Sequence, residues 1–199
     1  MKVEFDSKDE GIVINYKYDI KIKVKNNITL QIDFLDSTGE ITTTISDATI
    51  SITSLDLETS TGSISLTLDK VHFSDSSPTI STSTGSHDIT LTNLNYSTSP
   101  SWIISASTGD IDLDLTDTTT PGSLSRTHLF DISSSTGSIT ISANIQQDYG
   151  LKIDTSISTG DVTIPRGGNS FTSSNFATAN QKYDFNLSVS TGDITFSEE

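Results

Sequence analysis

The chain lacks cysteine and has few aromatic residues, and the absence of cysteine excludes several classes of protein. Without cysteine there is no disulfide framework, no thiolate zinc or iron–sulfur site and no cysteine nucleophile. Aromatic residues make up only 7% of the 199 residues. No run approaches the roughly 18 consecutive apolar residues of a membrane-spanning helix, and the opening segment MKVEFDSKDE contains no apolar signal core. The sequence therefore predicts no membrane insertion.

Basic residues are also scarce. The chain contains 11 Lys and Arg against 26 Asp and Glu, which gives a formal net charge of −15. The imbalance lies in residues 37–199, which hold 5 basic and 19 acidic side chains. A surface of this sign repels phosphate backbones, so we expect no nucleic-acid partner. The excess carboxylates also keep a hydroxyl-rich surface soluble.

Serine and threonine take the place of the missing residue types. The chain contains 34 Ser and 31 Thr, and apolar residues account for only 32%. A chain this polar is disordered if its apolar residues are scattered, and it folds if they are regularly spaced. The spacing of the apolar residues therefore decides the class of the protein.

The tripeptide Ser-Thr-Gly occurs seven times and organises the whole chain. Its glycines are Gly39, Gly62, Gly85, Gly109, Gly137, Gly160 and Gly192, and most intervals are 23 or 24 residues. Apolar residues dominate the second and fourth positions after each glycine and the fifth and seventh positions before it. A period of two is that of a β-strand with one buried face. Because the inward phase changes parity at the tripeptide, we expect a bend or bulge there with glycine at positive φ.

A repeat of about 23 residues is too short to bury its own apolar face, but it suits one coil of a β-solenoid. The sequence thus predicts an all-β fold, a single-stranded β-solenoid of about seven coils stacked in chain order over residues 37–199. The longer intervals, of 28 and 32 residues, predict two loops at residues 116–128 and 165–181. Loops on a regular scaffold are where recognition most often lies.

Residues 1–36 differ from the repeats. Between residues 12 and 24, Ile, Tyr and Val alternate with Lys and Asp, and Asn26-Asn27 offers a tight turn. This pattern predicts an N-terminal β-hairpin that caps the first coil. The C-terminal segment DITFSEE has no comparable cap beyond its charge, which leaves end-to-end self-association through the last coil open, although the charges of Glu198 and Glu199 act mildly against it.

The unit (S/T)-T-G-(D/S)-I-x-(I/L/V), repeated over roughly residues 30–196, resembles the putative-adhesin or toastrack group of prokaryotic β-strand-repeat proteins. The resemblance implies a right-handed, single-stranded β-solenoid without catalytic residues, acting in adhesion or stress sensing at the cell envelope. The expected partner is a protein or a surface glycan. Envelope placement requires an anchor or signal outside this sequence, and a cytoplasmic location is the alternative.

Acidic residues cluster after the fourth glycine. Asp110, Asp112 and Asp114 alternate with apolar residues and therefore face outward, while Asp88 occupies the repeat position of Asp112. Carboxylates about 5 Å apart on neighbouring coils repel unless they are solvated, protonated or bridged by a hard cation. These four residues form a candidate metal site for Ca²⁺, and a merely solvated acidic face is the interpretation we favour. No other cofactor is expected.

No constellation of residues indicates catalysis, so we expect that the protein is not an enzyme. His72, His87 and His128 share no ligand spacing, and neither a GxSxG motif nor a phosphate-binding loop occurs. His87 falls on the inward phase, which favours a hydrogen-bonded core histidine over a catalytic base. A carbohydrate-active β-helix enzyme stays an alternative, and it would need two positioned carboxylates or Ca²⁺ with a basic residue.

A second alternative is an ice-binding surface built from outward Thr-x-Thr pairs such as Thr42 and Thr44. These pairs recur three and five residues after the glycines. Asp88, Asp112 and Pro165 interrupt the array, and outward threonine is simply well suited to a strand. A structural or interaction module is therefore the function that the sequence favours.

Overall fold

The computed structural model describes residues 28–46, 48–74, 77–120 and 123–198. This part of the chain is all-β and contains no helix, so no helix in it could span a membrane. Its strands are β1 (Ile28–Thr38), β2 (Ile41–Ser46), β3 (Ile50–Thr61), β4 (Ile64–Asp69), β5 (His72–Phe73), β6 (Thr79–Thr84), β7 (His87–Thr92), β8 (Asn95–Tyr96), β9 (Ser101–Thr108), β10 (Ile111–Asp117), β11 (Arg126–Thr136), β12 (Ile139–Ile145), β13 (Gly150–Thr159), β14 (Val162–Thr163), β15 (Ser170–Thr172), β16 (Gln181–Thr191) and β17 (Ile194–Glu198).

The strands form two sheets. The first has the order β15-β13-β16-β11-β9-β6-β3-β5-β8, with β1 also paired to β3, and the second has the order β14-β17-β12-β10-β7-β4-β2. Every pair is parallel except β13 with β15. Within the described residues neither sheet closes into a barrel.

Each Ser-Thr-Gly unit lies where the chain leaves a strand of the first sheet and enters a strand of the second. The threonines of the seven units are in register with one another across the first sheet. Six of the seven glycines have φ between 137° and 149°, and Gly39 is the exception. The predicted change of direction at a glycine of positive φ is therefore confirmed at six positions.

The last two repeats are not in chain order, and the prediction of consecutive stacking is wrong there. Strand β16 lies between β11 and β13, and β17 lies between β12 and β14. The backbone shows the same order, because Gly137 N donates to Thr191 O at 2.9 Å and Gly192 N donates to Thr159 O at 3.0 Å. The segment of residues 164–180 returns the chain into the position between the fifth and sixth repeats.

This order also corrects the prediction that the C-terminal repeat offers a free edge for end-to-end self-association. Strand β17 pairs with β12 along its whole length and with β14 at Ile194 and Thr195, so it lies inside the second sheet and is not the end of the stack. The sixth repeat stands at that end of the stack instead. There the short antiparallel strand β15 covers the outer edge of β13.

The hydrophobic core lies between the two sheets. The residues seven positions before each glycine are buried, and aromatic side chains at these and adjacent positions stack. The ring centroids of Phe73 and Trp102 are 5.0 Å apart, those of Trp102 and Phe130 are 5.8 Å apart, and those of Phe130 and Phe185 are 4.9 Å apart. Phe130 therefore stacks on the seventh repeat rather than on the sixth. Stacked rings add to the energy of area burial.

The predicted N-terminal cap lies mostly outside the described residues. Residues 1–27, with the alternating segment and the Asn26-Asn27 turn, are not described. Residues 28–36 belong to β1, which pairs in parallel with β3. Phe34, at an inward position of β1, is 38% exposed, whereas its neighbour Leu57 is fully buried.

Candidate functional site

The two predicted loops, residues 116–128 and 165–181, lie next to each other in the structure. Their contact follows from the position of β16 beside β11, because each loop leads into one of these two strands. Gln181 Nε2 donates to the carbonyl oxygen of Leu124 at 2.7 Å, and the backbone N–H of Arg126 donates to the carbonyl oxygen of Asn180 at 2.7 Å. Segments more than 50 residues apart therefore form one surface.

A third segment, the turn of residues 146–149 between β12 and β13, joins the same surface. Asn175 holds it, because its Nδ2 donates to the carbonyl oxygens of Gln147 at 2.9 Å and Tyr149 at 3.0 Å. The Oδ1 of Asn175 accepts a hydrogen bond from Ser173 Oγ at 2.7 Å. All of the polar atoms of this amide are thus engaged. We call residues 118–120, 123–125, 146–149 and 173–180 the loop cluster.

The loop cluster surrounds an open cavity of about 360 Å³. Its lining residues are Thr120, Asp148, Asn175, Thr178, Ala179 and Asn180. The side chains of Thr120, Asp148 and Asn180 are exposed and form no hydrogen bond or ion pair with any described residue. Each comes from a different segment of the cluster, so the three segments each bring one uncommitted polar group to the cavity.

A buried polar cluster, consisting of Asp117, His128, Tyr149, Gln181 and Tyr183, adjoins the loop cluster and shares Tyr149 with it, and the exposed Thr119 lies at its edge. The Asp117 carboxylate is only 3% exposed and accepts hydrogen bonds from Tyr183 Oη at 2.7 Å and Thr119 Oγ1 at 2.6 Å. The Thr119 Oγ1 atom lies 3.3 Å from Tyr149 Oη. This network connects the end of β10 to the seventh repeat and to the third segment of the loop cluster.

His128 is the second titratable group of the buried polar cluster. Its Nε2 lies 3.2 Å from Gln181 Oε1, and its ring packs against Tyr96 and Tyr183 with centroid distances of 4.3 and 4.9 Å. Burial lowers the pKa of His128 to about 4, so the ring is neutral at pH 7. Because Gln181 Nε2 is used on Leu124, its Oε1 faces the histidine, and His128 donates from Nε2.

Burial acts in the opposite direction on the tyrosines around Asp117. It raises the pKa of Tyr149 to about 12 and raises the pKa of Tyr183 well above its ordinary value, and the charge of Asp117 contributes to both shifts. Both hydroxyls therefore keep their protons at neutral pH. Tyr183 can therefore donate a hydrogen bond to Asp117 at neutral pH.

The four residues of the candidate metal site are spread over two neighbouring strands and a turn. Asp88 on β7 and Asp112 on β10 are in register and exposed, as their repeat positions predicted. Asp114 faces Thr90, and Asp110 accepts a hydrogen bond at Oδ1 from the backbone N–H of Ser138 at 2.8 Å. Among the residues described, no group of three or more His, Cys, Asp or Glu side chains is placed to hold a metal ion. The Ca²⁺ site stays a prediction.

His87 confirms the prediction of a hydrogen-bonded core histidine. It is 1% exposed, and its Nε2 lies 2.9 Å from the carbonyl oxygen of Ser105. Burial lowers the pKa of His87. The side chain therefore belongs to the interior and does not face the loop cluster.

The sequence reasoning missed the buried polar cluster, although the signal was present. Asp117 continues the inward alternation of Ile111, Leu113 and Leu115, and His128 precedes Phe130 with the same spacing of two. Continuing the period of two past the apolar residues would have placed both polar side chains in the interior.

No protein-family model and no curated protein matches the chain. Among solved structures, the chain is similar to one described as a "putative cell adhesion protein" from Clostridium sporogenes ATCC 15579, with 13% sequence identity and a TM-score of 0.48. The alignment covers 86% of this chain and 92% of that one.

Proposed function

We propose that the protein is a non-catalytic interaction module of the adhesin type, in which a β-solenoid presents the loop cluster to a partner. The solenoid of about seven coils is supported by the parallel pairing of equivalent strands and by the stacking of the Ser-Thr-Gly glycines. The chain alternates between the two sheets at each of these glycines. The coils follow chain order except for the last two.

The convergence of the loops carries this proposal. Coils inside the stack are covered by their neighbours, and the two long insertions and the turn of residues 146–149 collect in one place. A solenoid is rigid because each coil pairs with the next, so it can hold three irregular segments in fixed relation. Sites for partners are commonly loops positioned by such a scaffold.

A passive role is supported by the location of the groups that could perform chemistry. Asp117 and His128, both members of the buried polar cluster, are 3% and 1% exposed. Both are engaged in the network that joins β10, β11 and β16. They stabilise the scaffold beneath the loops and do not offer a base or a nucleophile to a substrate.

The test is a binding array of immobilised glycans and peptides probed with the purified protein. Thr178→Trp fills the cavity from its exposed rim, and Ser174→Trp adds the same bulk to the same loop at a residue that does not line the cavity. We expect the wild type and Ser174→Trp to bind the same partner and Thr178→Trp to lose it. Equal binding by all three proteins would contradict the proposal. Release of cleaved fragments from a bound glycan would identify an enzyme instead.

A further inference from the structure

We infer that the cavity of the loop cluster binds a neutral, polyhydroxylated ligand, which means a saccharide of one or two rings. The inference rests on the proposed function, because it names the ligand class of the same site. The volume of about 360 Å³ is at the lower end of the roughly 300–1,000 Å³ range of small-molecule sites. A small ligand or the terminal part of a larger one therefore suits the cavity.

The uncommitted side chains have the hydrogen-bonding character that hydroxyl groups require. The hydroxyl of Thr120 both donates and accepts, the carboxylate of Asp148 accepts, and the amide of Asn180 does both. A sugar hydroxyl also donates and accepts at once, so adjacent hydroxyls can pair with a carboxylate and an amide together. Hydrogen bonds to the charged carboxylate are the stronger kind.

The framework behind these three groups is already ordered. Asn175 uses its whole amide within the loop cluster, and Thr178 Oγ1 donates to the carbonyl oxygen of Asn175 at 3.2 Å. The backbone carbonyl of Asn180 is fixed by Arg126. A site held in this way loses little conformational entropy when a ligand binds, which favours affinity from few contacts.

The described lining residues disfavour anionic and hydrophobic ligands. Among the described residues that line the cavity there is no Lys or Arg, whereas Asp148 is one of them, so a phosphate, sulfate or uronic acid would meet an unpaired negative charge. Lys182, from the adjacent strand β16, is not a lining residue, and its Nζ lies over the ring of Phe176 at 5.5 Å from the ring centroid. Ala179 is the single apolar residue in the described part of the lining, so a hydrophobic ligand would bury little apolar surface against it.

The experiment is an NMR titration of the full chain with glucose, galactose, mannose, N-acetylglucosamine and their disaccharides as probes. Inorganic phosphate serves as the anionic probe, and Nα-acetyl-lysine amide, with its free ε-ammonium group, serves as the cationic probe. We expect at least one neutral sugar to shift backbone resonances of residues 118–120, 146–149 and 173–180. Asp148→Ala and Asn180→Ala should each weaken the binding of that sugar by about 3- to 10-fold. Asp33→Ala, an exposed carboxylate on β1, is the matched control and should bind as the wild type does.

Each outcome separates the ligand class from the proposed function. If phosphate or the lysine amide shifts the resonances of the loop cluster and no neutral sugar does, the proposed ligand class is wrong and the proposed site stands. If a sugar binds equally to Asp148→Ala and Asn180→Ala, it binds elsewhere and the inference is overturned. If no sugar shifts the resonances of the loop cluster but Thr178→Trp loses binding to a peptide on the array, the saccharide inference is wrong and the proposed function stands. If neither assay shows a ligand at these loops, both proposals fall.

Discussion

Tyr183 donates a hydrogen bond of 2.7 Å to the carboxylate of Asp117 across 66 residues of sequence. Both groups are buried, so this bond connects the fourth repeat to the seventh in the interior. Tyr183→Phe removes one donor to a buried charge, and we expect it to lower the free energy of unfolding by about 1.5–3 kcal/mol. Chemical denaturation measures the change.

Tyr149→Phe is the matched control for that substitution. The Tyr149 hydroxyl lies 3.3 Å from Thr119 Oγ1, a neutral partner, and Asp117 acts on it more weakly than on Tyr183, so its removal should cost less, about 0.5–1.5 kcal/mol. A loss in Tyr149→Phe as large as that in Tyr183→Phe would show that the bond to Asp117 has no special weight.

The six junction glycines with positive φ should tolerate no side chain. Gly109 has a φ of 143°, and a Cβ there would overlap the carbonyl oxygen of Gly85 in the neighbouring repeat. Gly109→Ala should therefore lower the free energy of unfolding by more than about 3 kcal/mol, from backbone strain and steric overlap together. Gly167→Ala is the control, because Gly167 has a φ of 75° and open space around its Cβ position.

The control substitution should cost only the strain of the left-handed conformation, about 1–2 kcal/mol. Thermal unfolding of the two variants measures the difference directly. Equal stability of Gly109→Ala and Gly167→Ala would contradict the close stacking of neighbouring repeats.

His128 should make stability depend on pH in a defined window. The unfolded chain protonates this histidine below its ordinary pKa of 6.5, whereas burial holds the pKa of His128 in the folded chain at about 4. The contribution of His128 is therefore complete above pH 6.5 and declines as the pH falls toward 4. The difference between the two pKa values of His128 corresponds to about 3 kcal/mol of unfolding free energy.

The direct readout is an NMR titration of the His128 ring protons, with an expected midpoint near pH 4. The variant His128→Asn should lose the corresponding pH dependence of unfolding between pH 6.5 and 4, leaving the part due to His87 and the carboxylates. A midpoint near 6.5 for His128 would mean that its ring is not buried.

The paired carboxylates of Asp88 and Asp112 allow the solvated-face interpretation to be tested against a Ca²⁺ site. If the face is only solvated, Asp112→Asn relieves repulsion and stabilises the fold by a few tenths of a kcal/mol at low salt. The gain should vanish at high salt because exposed charges are screened. Millimolar Ca²⁺ should then raise Tm no more than Mg²⁺ at equal ionic strength.

A rise in Tm that is specific for Ca²⁺ and absent in Asp112→Asn would contradict that interpretation and establish a cation site. Asp33→Asn controls for the general effect of removing one negative charge, because Asp33 is exposed on β1 and far along the stack from Asp112.

The sequence was sufficient to predict the repeat and its junctions, because the period of two and the recurring glycine are local signals. It placed the inward residues correctly at positions such as Trp102, Phe130 and Ile139, which are fully buried. It predicted the two insertions as loops, and residues 164–169, 173–180 and the described parts of 118–125 lie outside the strands.

The order of the last two repeats could not be predicted in the same way. Ile139 of the fifth repeat pairs with Ile194 of the seventh, but Val162 of the sixth is nearly the same in shape and polarity. Because every repeat offers similar side chains at each position, the periodic pattern does not specify which repeat becomes a neighbour. The convergence of the two insertions depends on this order, so the candidate site was not visible from the sequence either.

Cross-linking of engineered cysteines tests that order most directly, since the chain has no cysteine of its own. Thr140 on β12 is in register with Thr195 on β17, which in turn is in register with Thr163 on β14. With a short thiol-reactive cross-linker, the pair Thr140→Cys/Thr195→Cys should react readily. The pair Thr140→Cys/Thr163→Cys, separated by two strand spacings of about 4.8 Å each, should react poorly. Preferential reaction of the second pair would place the sixth repeat directly beside the fifth and contradict the assembly of the loop cluster.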